Sequence, residues 1–155
     1  MLPVMLVLDR LRSAYNVGNL FRIAEATRAR GIAVCGYTAY PPHEKLEKTA
    51  RDCDKLVPCT HYETAVEAVE DLKQQGYTVY AVETVDGATD YHELRYAFPC
   101  ALVLGNEALG IEEEVLALCD GVVSLPALGR KNSINVGNAG AVVLFEAQHQ
   151  YRQLQ

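Results

Sequence analysis

The residues best suited to chemistry lie in three short polar segments of the 155-residue sequence. The first segment, residues 12–22, carries Asn16, Asn19 and Arg22 and leads from an apolar run into a helical pattern. An arginine presents a planar guanidinium that binds phosphate or carboxylate groups through two parallel hydrogen bonds. This segment therefore suits contact with an anionic substrate.

The other two polar segments also follow apolar runs. Residues 102–110 form a strand-like run that ends in an acidic turn between two glycines, and residues 125–139 form a polar loop that enters the last helical pattern. Each segment alone also has a purely structural interpretation, because asparagine and serine cap helices and glycine shapes turns. Asn16 and Asn19, or Asn132–Ser133, could serve as such caps. The order and spacing of all three segments together are more specific than any one of them.

Strand and helix patterns alternate along the chain, which is typical of an α/β protein with a mostly parallel sheet and helices on both faces. The predicted strands are Val4–Leu8, Ile32–Cys35, Lys55–Pro58, Thr78–Val82, Ala101–Leu104 and Val122–Leu125. The predicted helices are Val17–Arg28 with a stop at Gly31, His43–Asp52, Thr64–Gln75 with a capping box at Thr64 and Glu67, Glu112–Cys119 and Asn135–Gln150. Ligands on such sheets bind beyond the carboxyl ends of the strands, where the polar segments lie.

The composition is that of a single globular domain, which we expect to span residues 1–155 without a separate RNA-binding domain. Half of the residues are hydrophobic, yet no apolar run approaches the roughly 18 residues that span a bilayer. The five cysteines form no C-x-x-C pair and the four histidines show no metal-ligand spacing. The N-terminus shows no signal-peptide pattern. We therefore expect a cytoplasmic protein with free thiols, no bound metal and no membrane association.

The charge of the chain is unevenly distributed. The net charge of −6 argues against a non-specific nucleic-acid binder, because affinity for phosphate comes from lysine and arginine. Residues 1–30, however, contain only two acids and five arginines, namely Arg10, Arg12, Arg22, Arg28 and Arg30. This basic N-terminal region is either a surface for phosphate groups or a chance cluster on a solvated helix.

Taken together, the three segments resemble the motifs of the SpoU/TrmH family of RNA 2′-O-methyltransferases, which belongs to the SPOUT class. Residues 16–22 read N-x-G-N-x-x-R (motif one), residues 104–110 read L-G-N-E-x-x-G (motif two), and residues 126–136 read P-x-x-G-x-x-x-S-I-N-V (motif three). The similarity covers nearly the whole chain. It implies a SPOUT fold, a parallel sheet whose C-terminal part is threaded into a deep trefoil knot, a rare exception among chain topologies.

The resemblance implies S-adenosylmethionine as the methyl donor and a binding site for it in the C-terminal loops. The G-x-G-x-x-G pattern of a Rossmann nucleotide site is absent after the first strand. A glycine such as Gly105 would let the backbone approach the ligand closely. By position, the residues implied to line the donor are Val82, Glu83, Gly105, Asn106, Glu107, Gly110, Leu125, Leu128, Ser133, Ile134 and Asn135.

The resemblance also assigns catalytic roles to Arg22, Asn16 and Asn135. Because arginine is essentially always protonated, we expect Arg22 to hold the phosphate next to the acceptor ribose and to polarise its 2′-hydroxyl, with Asn16 orienting Arg22 or the ribose. Many family members carry serine where this chain has Gly137. A hydroxyl that would help to arrange the acceptor is therefore missing.

The resemblance also implies a homodimer, in which motif one of one chain completes the site of the other. The last helix carries small residues that would allow close packing, in a dimer or equally within one chain, namely Gly137, Ala139, Gly140, Ala141 and Ala147. The expected partner is a structured tRNA or rRNA. The residues expected to contact this RNA are Arg10, Arg12, Arg22, Arg130 and Lys131.

Two other functions remain open from the sequence. One is a knotted-fold methyltransferase that acts on an RNA base. The other is a catalytically silent RNA-binding factor that keeps the fold. The intact Arg22 and motif three favour the ribose, whereas Gly137 and the acidic bulk of the chain keep the silent factor in view.

Overall fold

The computed structural model describes residues 1–155, and its strands and helices alternate along the chain. The strands are β1 (Leu2–Asp9), β2 (Ala29–Cys35), β3 (Cys59–Tyr62), β4 (Thr78–Val82), β5 (Thr89–Asp90), β6 (Cys100–Leu104) and β7 (Gly121–Ser124). The helices are α1 (Ala14–Thr27), α2 (Glu44–Ala50), α3 (Cys53–Leu56), α4 (Ala65–Gln74), α5 (Glu113–Leu118) and α6 (Val136–Gln153).

The strands form one seven-stranded sheet in the order β3-β2-β1-β6-β4-β7-β5. Every pair of neighbouring strands is parallel. The α/β class with a parallel sheet is therefore confirmed. Motif one follows β1, motif two follows β6, and motif three follows β7. These strands are neighbours in the sheet, in the order β1, β6, β4 and β7, so the loops that follow them meet at the carboxyl end of the sheet.

Helices cover both faces of the sheet, as predicted. Successive side chains of a strand point to opposite faces, so Leu6 and Leu8 of β1 pack with Phe21 of α1 and Leu144 of α6 in one core. Val7 of the same strand belongs to a second core, which contains residues of α4 and α5 such as Val69, Leu72 and Val115. The two cores hold the sheet rigid, and a rigid sheet fixes the positions at which its carboxyl-end loops begin.

Some boundaries differ from the sequence-based prediction. The third strand was predicted at Lys55–Pro58, but residues 53–56 form the short helix α3 and the strand follows at Cys59–Tyr62. Helix α1 ends at Thr27 because Arg28 adopts a left-handed conformation with φ of 56°, so the predicted stop at Gly31 is wrong. Gly31 lies inside β2, where a Cβ atom would come within 2.9 Å of the Pro58 carbonyl oxygen.

The structure also bears on membrane spans, metal sites and disulfides. None of the six helices combines the length and the apolar character that a membrane span requires. No cluster of three histidine, cysteine or acidic side chains is placed to hold a metal ion. The five cysteines are all free. Burial raises the pKa of the Cys35 and Cys100 thiols to about 12, so both stay protonated and behave as small apolar side chains.

Candidate active site

Helix α1 presents motif one from its first turns. Ser13 caps the helix by accepting a hydrogen bond from the Asn16 backbone N–H at 3.2 Å. The interpretation of Asn16 and Asn19 as caps is therefore wrong, and the Asn16 side chain is available for other contacts. A Cβ atom at Gly18 would collide with Thr49 of α2. The glycine of motif one thus allows α1 and α2 to pack closely.

Motif two is shaped by a buried asparagine. The Asn106 Oδ1 atom accepts hydrogen bonds from the backbone N–H groups of Ala108 and Leu109, both at 2.8 Å. Its Nδ2 atom donates to the Arg10 carbonyl and to the Tyr37 hydroxyl, again at 2.8 Å. Because all of these bonds lie within the protein, Asn106 organises the loop and does not offer its side chain to a ligand.

The glycines of motif two are required by the protein's own packing. A Cβ atom at Gly105 would lie 2.6 Å from Ile111 Cγ1 and 2.7 Å from the Gly110 carbonyl carbon. Gly110 has a φ of 70°, and a Cβ atom there would lie 2.6 Å from Glu83 Oε2. The expectation that Gly105 makes room for the ligand is therefore corrected, since the space beside it is filled by residues 110 and 111.

A chain of side-chain hydrogen bonds joins the three motifs. The Asn16 Nδ2 atom donates to Glu107 Oε1 at 3.1 Å, and the Asn135 Nδ2 atom donates to Asn16 Oδ1 at 3.1 Å. Asn135 also caps α6, since its Oδ1 atom accepts from the Asn138 N–H at 3.1 Å. The cap predicted at Asn132–Ser133 is therefore wrong, and the cap and the link between the motifs are the same residue.

The Glu107 carboxylate anchors the start of motif one to motif two. Besides the Asn16 amide, it accepts hydrogen bonds from the backbone N–H groups of Arg12 at 2.9 Å and Ser13 at 3.1 Å. Partial burial raises the pKa of Glu107, but the hydrogen bonds from Arg12, Asn16 and Ser13 outweigh burial and lower the pKa below its ordinary value. Glu107 is therefore ionised at neutral pH.

The loops after β4, β6 and β7 enclose a cavity of about 550 Å³, which we call the motif cleft. Ten of the predicted donor-binding residues line it, namely Val82, Glu83, Gly105, Asn106, Glu107, Gly110, Leu125, Ser133, Ile134 and Asn135. Leu128 does not line it and is 94% exposed to solvent. The sequence reasoning missed several lining residues, namely Thr84, Leu104, Ala108, Ser124, Ala127, Asn132, Val136 and Ala139.

A second carboxylate, that of Glu83, also lines the motif cleft. Glu83 follows β4, and its Oε2 atom accepts a hydrogen bond from the Ile111 N–H at 3.0 Å while Oε1 accepts from the Thr84 N–H at 3.1 Å. Glu83 therefore ties the end of β4 to the end of motif two. The motif cleft thus contains two carboxylates, Glu83 and Glu107, each held in place by backbone N–H groups.

The five predicted RNA-contacting residues lie in different surroundings, and Arg12 is exposed in the segment before α1. Arg10 is occupied within the protein, where it pairs with Asp9 and Glu112 at 3.1 Å and donates to the Gly110 carbonyl, so its placement does not favour contact with RNA. Arg22 is exposed on α1, outside the motif cleft, and forms no ion pair in this chain. Arg130 and Lys131 are exposed in the loop before α6, beside the cleft-lining Asn132.

A profile described as the SpoU rRNA Methylase family matches residues 3–145. The chain belongs to the SpoU rRNA methylase family. One relative is the tRNA (guanosine(18)-2′-O)-methyltransferase of Thermus thermophilus, which is 34% identical over 144 residues that make up 93% of this chain and 73% of the relative. The family that motifs one to three indicated is thereby confirmed.

Solved SpoU structures have the same fold. The SpoU methyltransferase AviRb from Streptomyces viridochromogenes in complex with AdoMet superposes with a TM-score of 0.88 and 25% identity, over 96% of this chain and 60% of AviRb. A structure that describes 2-OH methylation of C/U34 on tRNA superposes with a TM-score of 0.86 and 26% identity, over 97% of both chains. The SPOUT fold is thus confirmed, while the threading of the knot stays a prediction.

Proposed function

We propose that this SpoU family member transfers the methyl group of S-adenosylmethionine to a ribose 2′-hydroxyl of tRNA or rRNA. The observation that carries the proposal is the hydrogen-bond chain Glu107–Asn16–Asn135, which joins motif one to the two motifs that line the motif cleft. The name of the Thermus thermophilus relative, a tRNA 2′-O-methyltransferase, supports the reaction. The AdoMet complex of AviRb supports the donor.

The lining of the motif cleft fits S-adenosylmethionine. Apolar side chains such as Leu125 and Ile134 suit the adenine ring, and the polar Asn132 and Ser133 suit its hydrogen-bonding edges and the amino-acid end. Glu83 and Glu107 place negative charge in the cleft, which favours a cationic sulfonium over a neutral ligand. When bound, the donor supplies an electrophilic methyl group.

The acceptor hydroxyl must be positioned by this chain's own residues, because a ribose hydroxyl is a poor nucleophile. The Asn16 and Asn135 amide nitrogens each use one hydrogen within the chain and keep a second hydrogen for a ribose oxygen. Arg22 has no charged partner of its own and is free to bind a phosphate. Its guanidinium would hold the phosphate and polarise the neighbouring 2′-hydroxyl through two hydrogen bonds.

The position of Arg22 supports a homodimer with shared sites. It lies outside the motif cleft of its own chain, and a second copy would bring an arginine to that cleft. On α6, Gly140 and Ala147 are buried within this chain, and a Cβ atom at Gly140 would lie 2.6 Å from Leu20 of α1. These small residues pack α6 onto α1. Val142 and Phe145 remain exposed on α6 and would be covered by the second copy.

Mass spectrometry of nucleosides from treated RNA tests the proposal. Purified protein, S-adenosylmethionine and unmodified tRNA and rRNA transcripts should yield a nucleoside with the added mass on its ribose fragment. Added mass on the base fragment would instead identify a base methyltransferase. Binding of RNA without any methyl transfer would identify a silent RNA-binding factor.

A further inference from the structure

A second cavity of about 710 Å³ lies at the carboxyl end of β2, beside the motif cleft. We call it the aromatic cavity, because Tyr15, Tyr37, Tyr40 and His61 contribute rings to its lining. The four residues come from three places in the sequence, namely α1, the loop between β2 and α2, which holds both Tyr37 and Tyr40, and β3. The functional residues of the three motifs do not account for this cluster.

The rings of the aromatic cavity are open to solvent. Tyr15 is 60% exposed, Tyr37 61% and Tyr40 43%. Only Tyr40 has an aromatic neighbour in the cavity, since its ring lies 5.6 Å from that of His61 at an angle of 51°. Tyrosines that pack in a core bury their rings, so exposed and neighbouring tyrosine rings offer faces on which a planar ligand can stack.

The charge of the aromatic cavity is opposite to that of the chain. Arg12 and Lys45 line it, and no aspartate or glutamate does, although the chain carries 20 acidic residues and a net charge of −6. Cationic side chains interleaved with exposed aromatic rings are the usual arrangement for single-stranded nucleic acid, in which bases stack and phosphates bind the cations. A nucleotide is therefore the ligand that this lining fits.

The aromatic cavity and the motif cleft share a wall. The backbone N–H groups of Arg12 and Ser13 donate to Glu107, which lines the motif cleft, while both residues also line the aromatic cavity. The Tyr37 hydroxyl accepts a hydrogen bond from Asn106 of motif two at 2.8 Å. A ligand in one cavity is thus separated from a ligand in the other by a single segment of chain.

We propose that the aromatic cavity binds an unstacked nucleotide of the substrate RNA next to the nucleotide that is methylated. Its base stacks on Tyr15 and Tyr40, and its phosphate binds Arg12 and Lys45. The inference rests on the proposed function, since it takes RNA to be the substrate. It adds a recognition site, made of tyrosines, that selects flexible loops over regular double helix.

The test compares two fluorescein-labelled probes of equal charge, a six-nucleotide oligoadenylate and an abasic ribose-phosphate oligomer of the same length. Wild-type protein should bind the oligoadenylate at least about ten-fold more tightly, because only that probe can stack. Tyr40→Ala or Tyr15→Ala should weaken oligoadenylate binding about 5- to 150-fold and leave the abasic probe unaffected. Tyr40→Phe, which keeps the ring, should bind as the wild type does.

Two further measurements, calorimetry with S-adenosylhomocysteine and the methyl-transfer assay, separate this inference from the proposed function. Calorimetric binding of S-adenosylhomocysteine should be unchanged in Tyr40→Ala and Tyr15→Ala, which also shows that both variants fold. If the wild type binds both probes equally, or if both alanine variants bind oligoadenylate normally, the stacking site is refuted whatever the catalytic result. If oligoadenylate binds through the tyrosines but no RNA is methylated, the proposed function fails while the nucleotide site stands.

Discussion

Substitution of Gly110 by alanine tests most directly how Gly110 and Glu83 together shape the motif cleft. Gly110 has a φ of 70°, and its hypothetical Cβ atom lies 2.6 Å from Glu83 Oε2. The left-handed conformation costs a residue with a side chain about 1–2 kcal/mol. The new methyl group must also displace the Glu83 carboxylate from the Ile111 N–H, a hydrogen bond of 3.0 Å that contributes about 1.5–3 kcal/mol when the acceptor is charged.

Gly110→Ala should therefore lower the free energy of unfolding by about 2.5–5 kcal/mol, since the left-handed strain and the lost hydrogen bond add. At this chain length, each kcal/mol corresponds to about 2–4 °C in Tm. Affinity for S-adenosylhomocysteine should also fall, because Glu83 and Gly110 both line the cleft. Gly129→Ala is the matched control, since Gly129 has open space around its Cβ position and no positive φ.

A double-mutant cycle separates the two contributions. In a Glu83→Ala background the carboxylate is absent, so Gly110→Ala should cost only the backbone strain of about 1–2 kcal/mol. Urea unfolding of the four proteins gives the coupling directly. If Gly110→Ala lowers the free energy of unfolding equally in both backgrounds, the contact between Gly110 and Glu83 is refuted. A Tm of Gly110→Ala equal to that of the wild type would refute both the backbone strain at Gly110 and this contact.

Three other predictions concern charge, catalysis and assembly. Because the pKa of Glu107 is lowered in the folded protein, the ionised carboxylate stabilises the fold at neutral pH, and this stabilisation is lost as the pH falls through that pKa. In urea unfolding, the difference in free energy of unfolding between the wild type and Glu107→Gln should therefore shrink towards acid pH. A difference that does not change with pH would contradict this prediction. Arg22→Ala should reduce turnover by orders of magnitude while the affinity for S-adenosylmethionine is kept, and Arg22→Lys should recover little of the turnover. Mixing Arg22→Ala subunits with Gly110→Ala subunits should restore part of the activity. No recovery would show that each site takes its arginine and its cleft from the same chain. The proposed homodimer should sediment at twice the mass of the chain, and Phe145→Asp should reduce it to a monomer. A dimer mass that Phe145→Asp leaves unchanged would exclude the exposed face of α6 as the interface.

The sequence predicted the fold class because alternating strand and helix signals specify a parallel sheet. Most of the cleft was predicted from the resemblance of motifs one to three to those of the SpoU/TrmH family. Where the prediction failed, a non-local or unusual local conformation decided the outcome. Arg28 ends α1 in a left-handed conformation that a non-glycine residue rarely adopts. Leu128 looked like a lining residue by position, but its loop turns it to solvent.

Other features could not be predicted because their residues meet only in the folded chain. The hydrogen bond between Asn16 and Asn135 joins positions 119 residues apart. The short β5 strand has two residues, which is too few for a periodic signal. The aromatic cavity collects three tyrosines and a histidine from three separate segments, and no run of the sequence contains all four.

The position of the transferred methyl group tests the central claim most directly. Purified protein is incubated with S-adenosylmethionine that carries a tritiated methyl group and with unmodified tRNA and rRNA transcripts, and the RNA is then hydrolysed in alkali. Alkaline cleavage requires a free 2′-hydroxyl, so ribose methylation protects the adjacent phosphodiester bond. We predict that the tritium will be found in alkali-resistant dinucleotides. Tritium in mononucleotides, or RNA without tritium, would contradict ribose 2′-O-methylation by this protein.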